Sequence, residues 1–201
     1  MNKLAIWGGL AISKVDGPGR RAVIHTAGCS IGCPGCFNPH THDVTKPGVS
    51  FVSAYDFAFE VAKFVEVNGL DGLTISGGEP TDQMDALVEF LRVVRWEGVD
   101  SIVMFSGRRR AWLEKHRTMW AEIVDCELID VLIDGPFDRN RLAAAGLRGS
   151  ENQEIHMITS QHEQSDFNMR GVEIQIDSTG NVIVLGFPEQ EMLNELVGGA
   201  A

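Results

Sequence analysis

Outside one short segment, this chain has almost no cysteine: Cys126 is the only thiol beyond Cys29, Cys33 and Cys36 in 201 residues. That scarcity excludes a disulfide framework and points to a reducing compartment, the cytoplasm. No apolar run is long enough to span a bilayer and no secretory leader is visible, so neither a membrane anchor nor export is expected. Basic residues are also few. Seventeen Lys and Arg against 28 Asp and Glu leave a formal net charge of −11, which argues against nucleic acid, since binding to phosphates rests on Lys and Arg. Arg108-Arg109-Arg110 is the one basic run, either a solvated face or a steering patch. No internal repeat or low-complexity linker appears, which excludes a solenoid. With 44% hydrophobic residues in 22.0 kDa, the chain can bury one good core and is expected to form one main domain.

The cysteines that are present are concentrated. Cys29-Ser-Ile-Gly-Cys33-Pro-Gly-Cys36 has the spacing C-x3-C-x2-C. Three thiolates on one loop can hold a cubane iron–sulfur cluster and leave the fourth iron open for chemistry. The intervening Gly and Pro residues let the backbone turn tightly. Zinc is the alternative, because His25, His40 and His42 are near in sequence, but zinc ligands usually come as two separated pairs. A second signature follows. Leu73-Thr-Ile-Ser-Gly-Gly-Glu-Pro80 reads as a buried strand that breaks at Gly77-Gly78 and places the Glu79 carboxylate at its C-terminal end.

Strands and helices alternate, which predicts a parallel sheet and an α/β fold. Strands are expected at Ala22–Thr26, Leu73–Ser76, Ser101–Phe105, Val131–Ile133 and Glu154–Ile158. Helices are expected at Ser53–Val67, capped by Ser53 with Asp56 and ended by Gly69, at Asp82–Trp96 and at Arg110–Ile123. Every motif falls at the C-terminal end of a strand, where parallel sheets bind ligands. The tail differs. Val172–Asp177 alternates, Ser178–Asn181 is a turn and Val182–Leu185 is apolar, a β-hairpin expected first to extend the sheet, with covering its open face or helping to bind a partner as alternatives. Glu189–Val197 is expected to add a short helix.

With these motifs the chain resembles the radical S-adenosylmethionine (SAM) superfamily, and more narrowly the activating enzymes of anaerobic ribonucleotide reductase. Val15-Asp-Gly-Pro-Gly-Arg20, Cys33-Pro-Gly-Cys-Phe-Asn38, Val131-Leu-Ile-Asp-Gly-Pro-Phe137 and Arg148-Gly-Ser-Glu-Asn-Gln153 carry the narrower match. The resemblance spans about Met1 to Met157. Residues from Ile158 onward lie outside it, so residues 1–157 are expected to form a radical SAM core and residues 158–201 an extension packed on it. The resemblance implies a partial (β/α) barrel with an open side. It implies a [4Fe-4S] cluster on Cys29, Cys33 and Cys36 that cleaves SAM reductively to a 5′-deoxyadenosyl radical, which abstracts a hydrogen atom. SAM contacts are then implied for Phe37, Gly77, Gly78, Glu79, Ser106, Gly107 and Asp134. The implied partners are a large glycyl radical enzyme and an electron donor such as flavodoxin or ferredoxin. Each residue has a plainer reading: Asp134 as an Asx cap, Ser106 as turn chemistry, Cys126 as packing. Two other functions stand beside activation of a reductase: a small radical SAM enzyme acting directly on a metabolite or peptide, and a non-catalytic iron–sulfur or zinc module.

Overall fold

The computed structural model describes residues 2–176, 182–188 and 192. Seven strands form one mixed sheet: β1 (Lys3–Ser13), β2 (Arg21–Thr26), β3 (Val49–Ser53), β4 (Gly72–Gly77), β5 (Ile102–Ser106), β6 (Val131–Asp134) and β7 (Glu154–Met157), in the order β3-β1-β2-β4-β5-β6-β7. The central strands β2, β4, β5 and β6 pair in parallel, as the alternation predicts. The edges are antiparallel: β1 lies against both β2 and β3, and β7 returns along β6. Neither β1 nor β3 is marked by the periodicity. Gly8 and Gly9 interrupt the alternation of β1, where the register shifts between Trp7 and Ala11, as glycines inside a strand tend to make it do.

Helix α1 (Ala54–Asn68) starts where its cap predicts: the Ser53 hydroxyl accepts the Asp56 N–H, and Gly69 ends it at φ 57° in the left-handed region. Helix α2 (Met84–Trp96) begins later than expected, because Pro80–Gln83 forms a 3-10 turn first. The helix expected over Arg110–Ile123 is two, α3 (Arg110–His116) and α4 (Trp120–Asp125). Between them Arg117 is extended, with its guanidinium over the Trp112 ring and 3.4 Å from Asp82.

The sheet is covered on both faces, and the pleat sorts its residues. Ile102, Met104 and Leu132 pack with Phe57, Phe90 and Leu91 of α1 and α2, whereas Val103, Val131 and Ile133 pack with Leu147 and Phe167. Each such buried side chain contributes about 1.5–3 kcal/mol. At the N-terminal end of the parallel strands lies a buried charge. Arg21 is fully buried, and its guanidinium donates to Thr74 Oγ1, the carbonyls of Pro18, Leu73 and Ser101, and Ser101 Oγ. All five N–H donors are used, so the cation ties β2, β4 and the approach to β5 together. Burial still pushes its pKa down to about 10.

The tail corrects one expectation. Strands β8 (Val172–Ile176) and β9 (Val182–Gly186) pair with each other antiparallel as a separate two-stranded sheet, and do not extend the main one. They dock instead on residues 12–16, through Lys14 N–H to Glu173 and Gln175 to the Ile12 carbonyl. The turn expected at Ser178–Asn181 and all of the helix expected at Glu189–Val197 except Met192 lie outside the described residues. Among the described residues, no helix is long and apolar enough to cross a membrane.

Candidate active site

A cleft opens at the C-terminal ends of β2, β4 and β5. Nine of the ten candidate residues line it: Cys29, Cys33, Cys36, Phe37, Gly77, Gly78, Glu79, Ser106 and Gly107. The cysteine loop leaves β2 through Ala27 and Gly28 and is held from behind. Gly28 N–H donates to the Thr41 carbonyl at 2.8 Å, and Cys29 N–H to that of His42 at 3.1 Å. The two glycines after β4 are explained by this loop. A Cβ on Gly78 would lie 2.3 Å from the Gly28 carbonyl, and one on Gly77, at φ 103°, 2.5 Å from that of Thr26. The Gly-Gly pair thus lets the two motif-bearing loops cross in contact, and only then leaves a cleft between them.

All three thiols are free. Burial pushes the Cys33 and Cys36 thiols up. Asn38 N–H donates to Cys36 Sγ at 3.4 Å, the kind of backbone contact that steadies a ligating sulfur. Among the described residues, no three Cys, His, Asp or Glu side chains converge on one metal ion. Three free thiols on one short loop, all lining one cleft, fit a cubane, which binds each cysteine at a separate iron.

Glu79 is 1% exposed. Its Oε1 accepts from Ser106 Oγ (2.8 Å), Thr81 Oγ1 (2.6 Å) and Thr81 N–H (3.1 Å), and its Oε2 from Gly107 N–H (2.8 Å). Burial raises its pKa, against the pull of the Thr81 and Ser106 hydroxyls. Ser106 and Gly107 are therefore Glu79's partners as well as cleft residues. A second carboxylate, Asp82, fixes the start of the cysteine loop. It accepts from Ser30 N–H and Arg108, each at 2.8 Å, while Arg108 also donates to Ser30 Oγ and stacks on Trp112. Desolvation opposes ionisation there, but the bonds from Arg108 and Ser30 hold Asp82 below the usual carboxylate range. The Arg108–Arg110 run is therefore engaged: Arg109 faces Glu154 at 3.5 Å and Arg110 pairs with Glu114.

Asp134 is placed elsewhere. It does not line the cleft; its Oδ2 accepts Arg110 N–H at the start of α3 and lies 3.0 Å from His156 Nε2. There β6 and α3 bring the carboxylate against the first turn of that helix, where it satisfies an otherwise orphaned N–H, while its Oδ1 is buried without a hydrogen-bond partner among the described residues. Cys126, expected to pack, is exposed.

The cleft also contains residues that the motifs did not single out for chemistry. Asp16, Phe137 and Gln153 sit inside motif segments, so their presence there was the available signal. Asp16 accepts from Ser13 Oγ at 2.6 Å, and burial raises its pKa. Gln153 accepts from Gly149 and Ser150 N–H and donates to the Gly135 carbonyl, fastening its loop to the end of β6. His25, beside Trp7, has its pKa lowered to about 4 by burial, with His40 adding to the effect. Leu185 and Phe187, from the tail, complete the lining with no motif to announce them.

Comparison with known proteins gives this geometry a family. Residues 15–156 match the 4Fe-4S single cluster domain family. The chain is 34% identical over 122 residues to the pyruvate formate-lyase-activating enzyme of Listeria monocytogenes serovar 1/2a, covering 58% of this chain and 48% of that protein. It is 31% identical over 157 residues to the anaerobic ribonucleoside-triphosphate reductase-activating protein of Vibrio cholerae, covering 74% and 94%. The phage T4 protein of the same name is 27% identical over 149 residues, covering 70% and 86%. The chain spans about half the length of the pyruvate formate-lyase-activating relatives it matches. With a [4Fe-4S] cluster and SAM as cofactors, it belongs to the 4Fe-4S single cluster domain family and, within it, to the radical SAM activases of glycyl radical enzymes.

Proposed function

We propose that this protein generates a glycyl radical on an anaerobic ribonucleotide reductase. The observation that carries the reading is the meeting of the cysteine loop with the Gly77-Gly78-Glu79 loop in one cleft, together with the near-full coverage of the reductase-activating protein of V. cholerae. In this reading Cys29, Cys33 and Cys36 hold the cluster, on a partial (β/α) barrel formed by residues 1–157, with 158–201 as an extension. When bound, cluster and SAM supply a one-electron cleavage of a C–S bond, yielding methionine and a 5′-deoxyadenosyl radical able to take a hydrogen atom from a glycine Cα.

The chain's own residues bind and orient. Among the described residues Glu79 Oε2 accepts one bond, from Gly107 N–H, and retains acceptor capacity for the SAM ammonium, a charge-assisted contact. Ser106 and Thr81 hold that carboxylate in place, so the ammonium meets a preorganised acceptor. Gly77, Gly78 and Gly107 let their loops approach Thr26, Gly28 and Ile31 closely enough to shape the methionine site, and Phe37, packed on Phe137 at 4.7 Å, shields the cysteines from water. Flavodoxin or ferredoxin supplies the electron, in the cytoplasm of an anaerobically growing cell. A second reading, direct action on a metabolite or peptide, is favoured by one feature: β9 and Phe187 line the cleft although they lie beyond the matched residues 15–156.

The deciding experiment mixes the reconstituted, reduced protein with SAM and the reductase under anaerobic conditions. A glycyl radical doublet by electron paramagnetic resonance is expected. It should be lost in Cys29→Ala, Cys33→Ala and Cys36→Ala, together with the visible cluster absorbance, and kept in Cys126→Ala. Efficient SAM turnover with a small molecule and no radical on the reductase would hand the case to the second reading. Stoichiometric zinc without iron uptake would remove both.

A further inference from the structure

The tail enters the cleft by a built route. At Gly186, with φ 84°, a Cβ would lie 2.2 Å from the Gly171 carbonyl and 2.9 Å from Val15 Cγ2. Opposite it, a Cβ on Gly171 would lie 2.9 Å from Val15 Cγ1. Only glycines let the two tail strands press this closely on each other and on Val15. Gly186 N–H reaches the Asp16 carboxylate, and Phe187 N–H donates to the Gly171 carbonyl at 3.1 Å. Glu173 and Gln175 add the two bonds to Lys14 and Ile12 described above. These contacts fix the direction of the chain as it leaves β9.

That direction delivers Phe187 into an aromatic cluster beside the cysteines. Its ring is 5.8 Å from that of Phe37, edge to face, and 6.4 Å from that of Phe105, while Arg170 stacks over it at 4.8 Å. Phe37 follows Cys36 directly. Phe37, Phe137 and Phe187 line two concavities at once: the inner cleft with the cysteines, and an outer groove whose other walls include Leu142, Ala143 and Arg139.

We propose that Phe187 is a specificity-determining wall of the cleft, a third ring set beside Phe37 and Phe137 between the cysteines and the outer groove. The extension then controls what reaches the cysteines: water, oxygen and broad substrates are held off, and a narrow chain segment is admitted only by displacing one ring. This inference deepens the proposed function and takes from it the identity of the site. Its test reads the wall separately, on the thiols alone.

In the full-length apoprotein, iodoacetamide labelling followed by peptide mass spectrometry gives a rate for each cysteine. Phe187→Ala should speed labelling of Cys33 and Cys36 roughly three- to tenfold while leaving the exposed Cys126 unchanged. Phe187→Leu, which keeps most of the bulk, should fall between. Gly186→Val should act in the same direction as Phe187→Ala, because it forces β9 off Gly171 and Val15. In reconstituted protein, Phe187→Ala should bleach faster in air and form more 5′-deoxyadenosine without substrate. Unchanged labelling in Phe187→Ala, with Cys126 as the internal reference, overturns the proposal. If Phe187→Ala fails to fold, wild-type labelling rates in both Phe187→Leu and Gly186→Val do so. If wild-type protein takes up no iron yet the labelling rates diverge as expected, the wall stands and the proposed function falls.

Discussion

Glu79 Oε1 and Ser106 Oγ lie 2.8 Å apart across the C-terminal ends of β4 and β5. The carboxylate read from sequence as a ligand for SAM is thus also a brace between two strands. Glu79→Ala should therefore both weaken SAM binding and destabilise the apoprotein. Four donors lose their acceptor, and a loss of about 2 kcal/mol or more is expected from such groups. Urea denaturation without cofactor checks the second effect, and equilibrium binding of SAM to reconstituted protein checks the first.

Asp134 makes the opposite prediction. Because it caps α3 and lies outside the cleft, Asp134→Ala should leave SAM affinity within about twofold of wild type. It should lower the stability of the apoprotein by about 1 kcal/mol, the usual scale for a lost cap. A large loss of SAM affinity with unchanged thermal stability would return Asp134 to the binding site.

The Asp82–Arg108 pair should matter to the cysteine loop more than to the core. Both side chains are mostly buried, at 19% and 16% exposure, and Asp82 carries the Ser30 N–H directly after Cys29. Asp82→Ala frees that end of the loop and leaves Arg108 without its carboxylate, at a cost of about 1.5–3 kcal/mol. Iron and sulfide bound per chain after reconstitution should fall, and the cluster should be lost faster to a chelator. Far-ultraviolet circular dichroism should be unchanged.

Arg21→Lys is expected to be severe although charge is kept. Five donors in a fixed fork become three on a flexible stem, so buried acceptors of the Arg21 site lose their donors. A loss of about 3 kcal/mol or more follows, read as a drop in the urea midpoint. The cleft is at the other end of the strands, so any protein that stays folded should still load its cluster.

His25 sets a pH dependence. Its folded-state pKa of about 4 lies below the unfolded value of about 6.5, so the unfolded chain binds the proton more readily. Stability due to neutral His25 is complete above the unfolded value and is lost as pH falls from there toward the folded one. The full loss is up to about 3 kcal/mol. Urea midpoints of the apoprotein at pH 7.5 and 4.5 should differ less in His25→Gln than in wild type. Equal differences would assign the acid sensitivity to other groups.

Much of this site was legible in the sequence because its chemistry is local. Cys29, Cys33 and Cys36 fall within eight consecutive residues, and Gly77-Gly78-Glu79 ends a strand whose first four positions are buried, so local spacing marked them. The four parallel strands and α1 with its Ser53 cap were readable for the same reason: a period of two, or a residue type at a helix end, is a property of a few neighbours. Only the tertiary structure decided the remainder. The antiparallel strands β1 and β3 depend on pairing between residues 42 to 50 positions apart, which no local period reports. Asp134 meets the Arg110 N–H because α3 packs its first turn against the end of β6, a matter of helix placement. Phe187 entered it because Gly186 and Gly171 press against Val15, some 170 and 155 positions earlier in the chain. Motif chemistry is written in adjacent residues, whereas the walls around it come from close approaches between distant segments, and these exist only once the chain has packed.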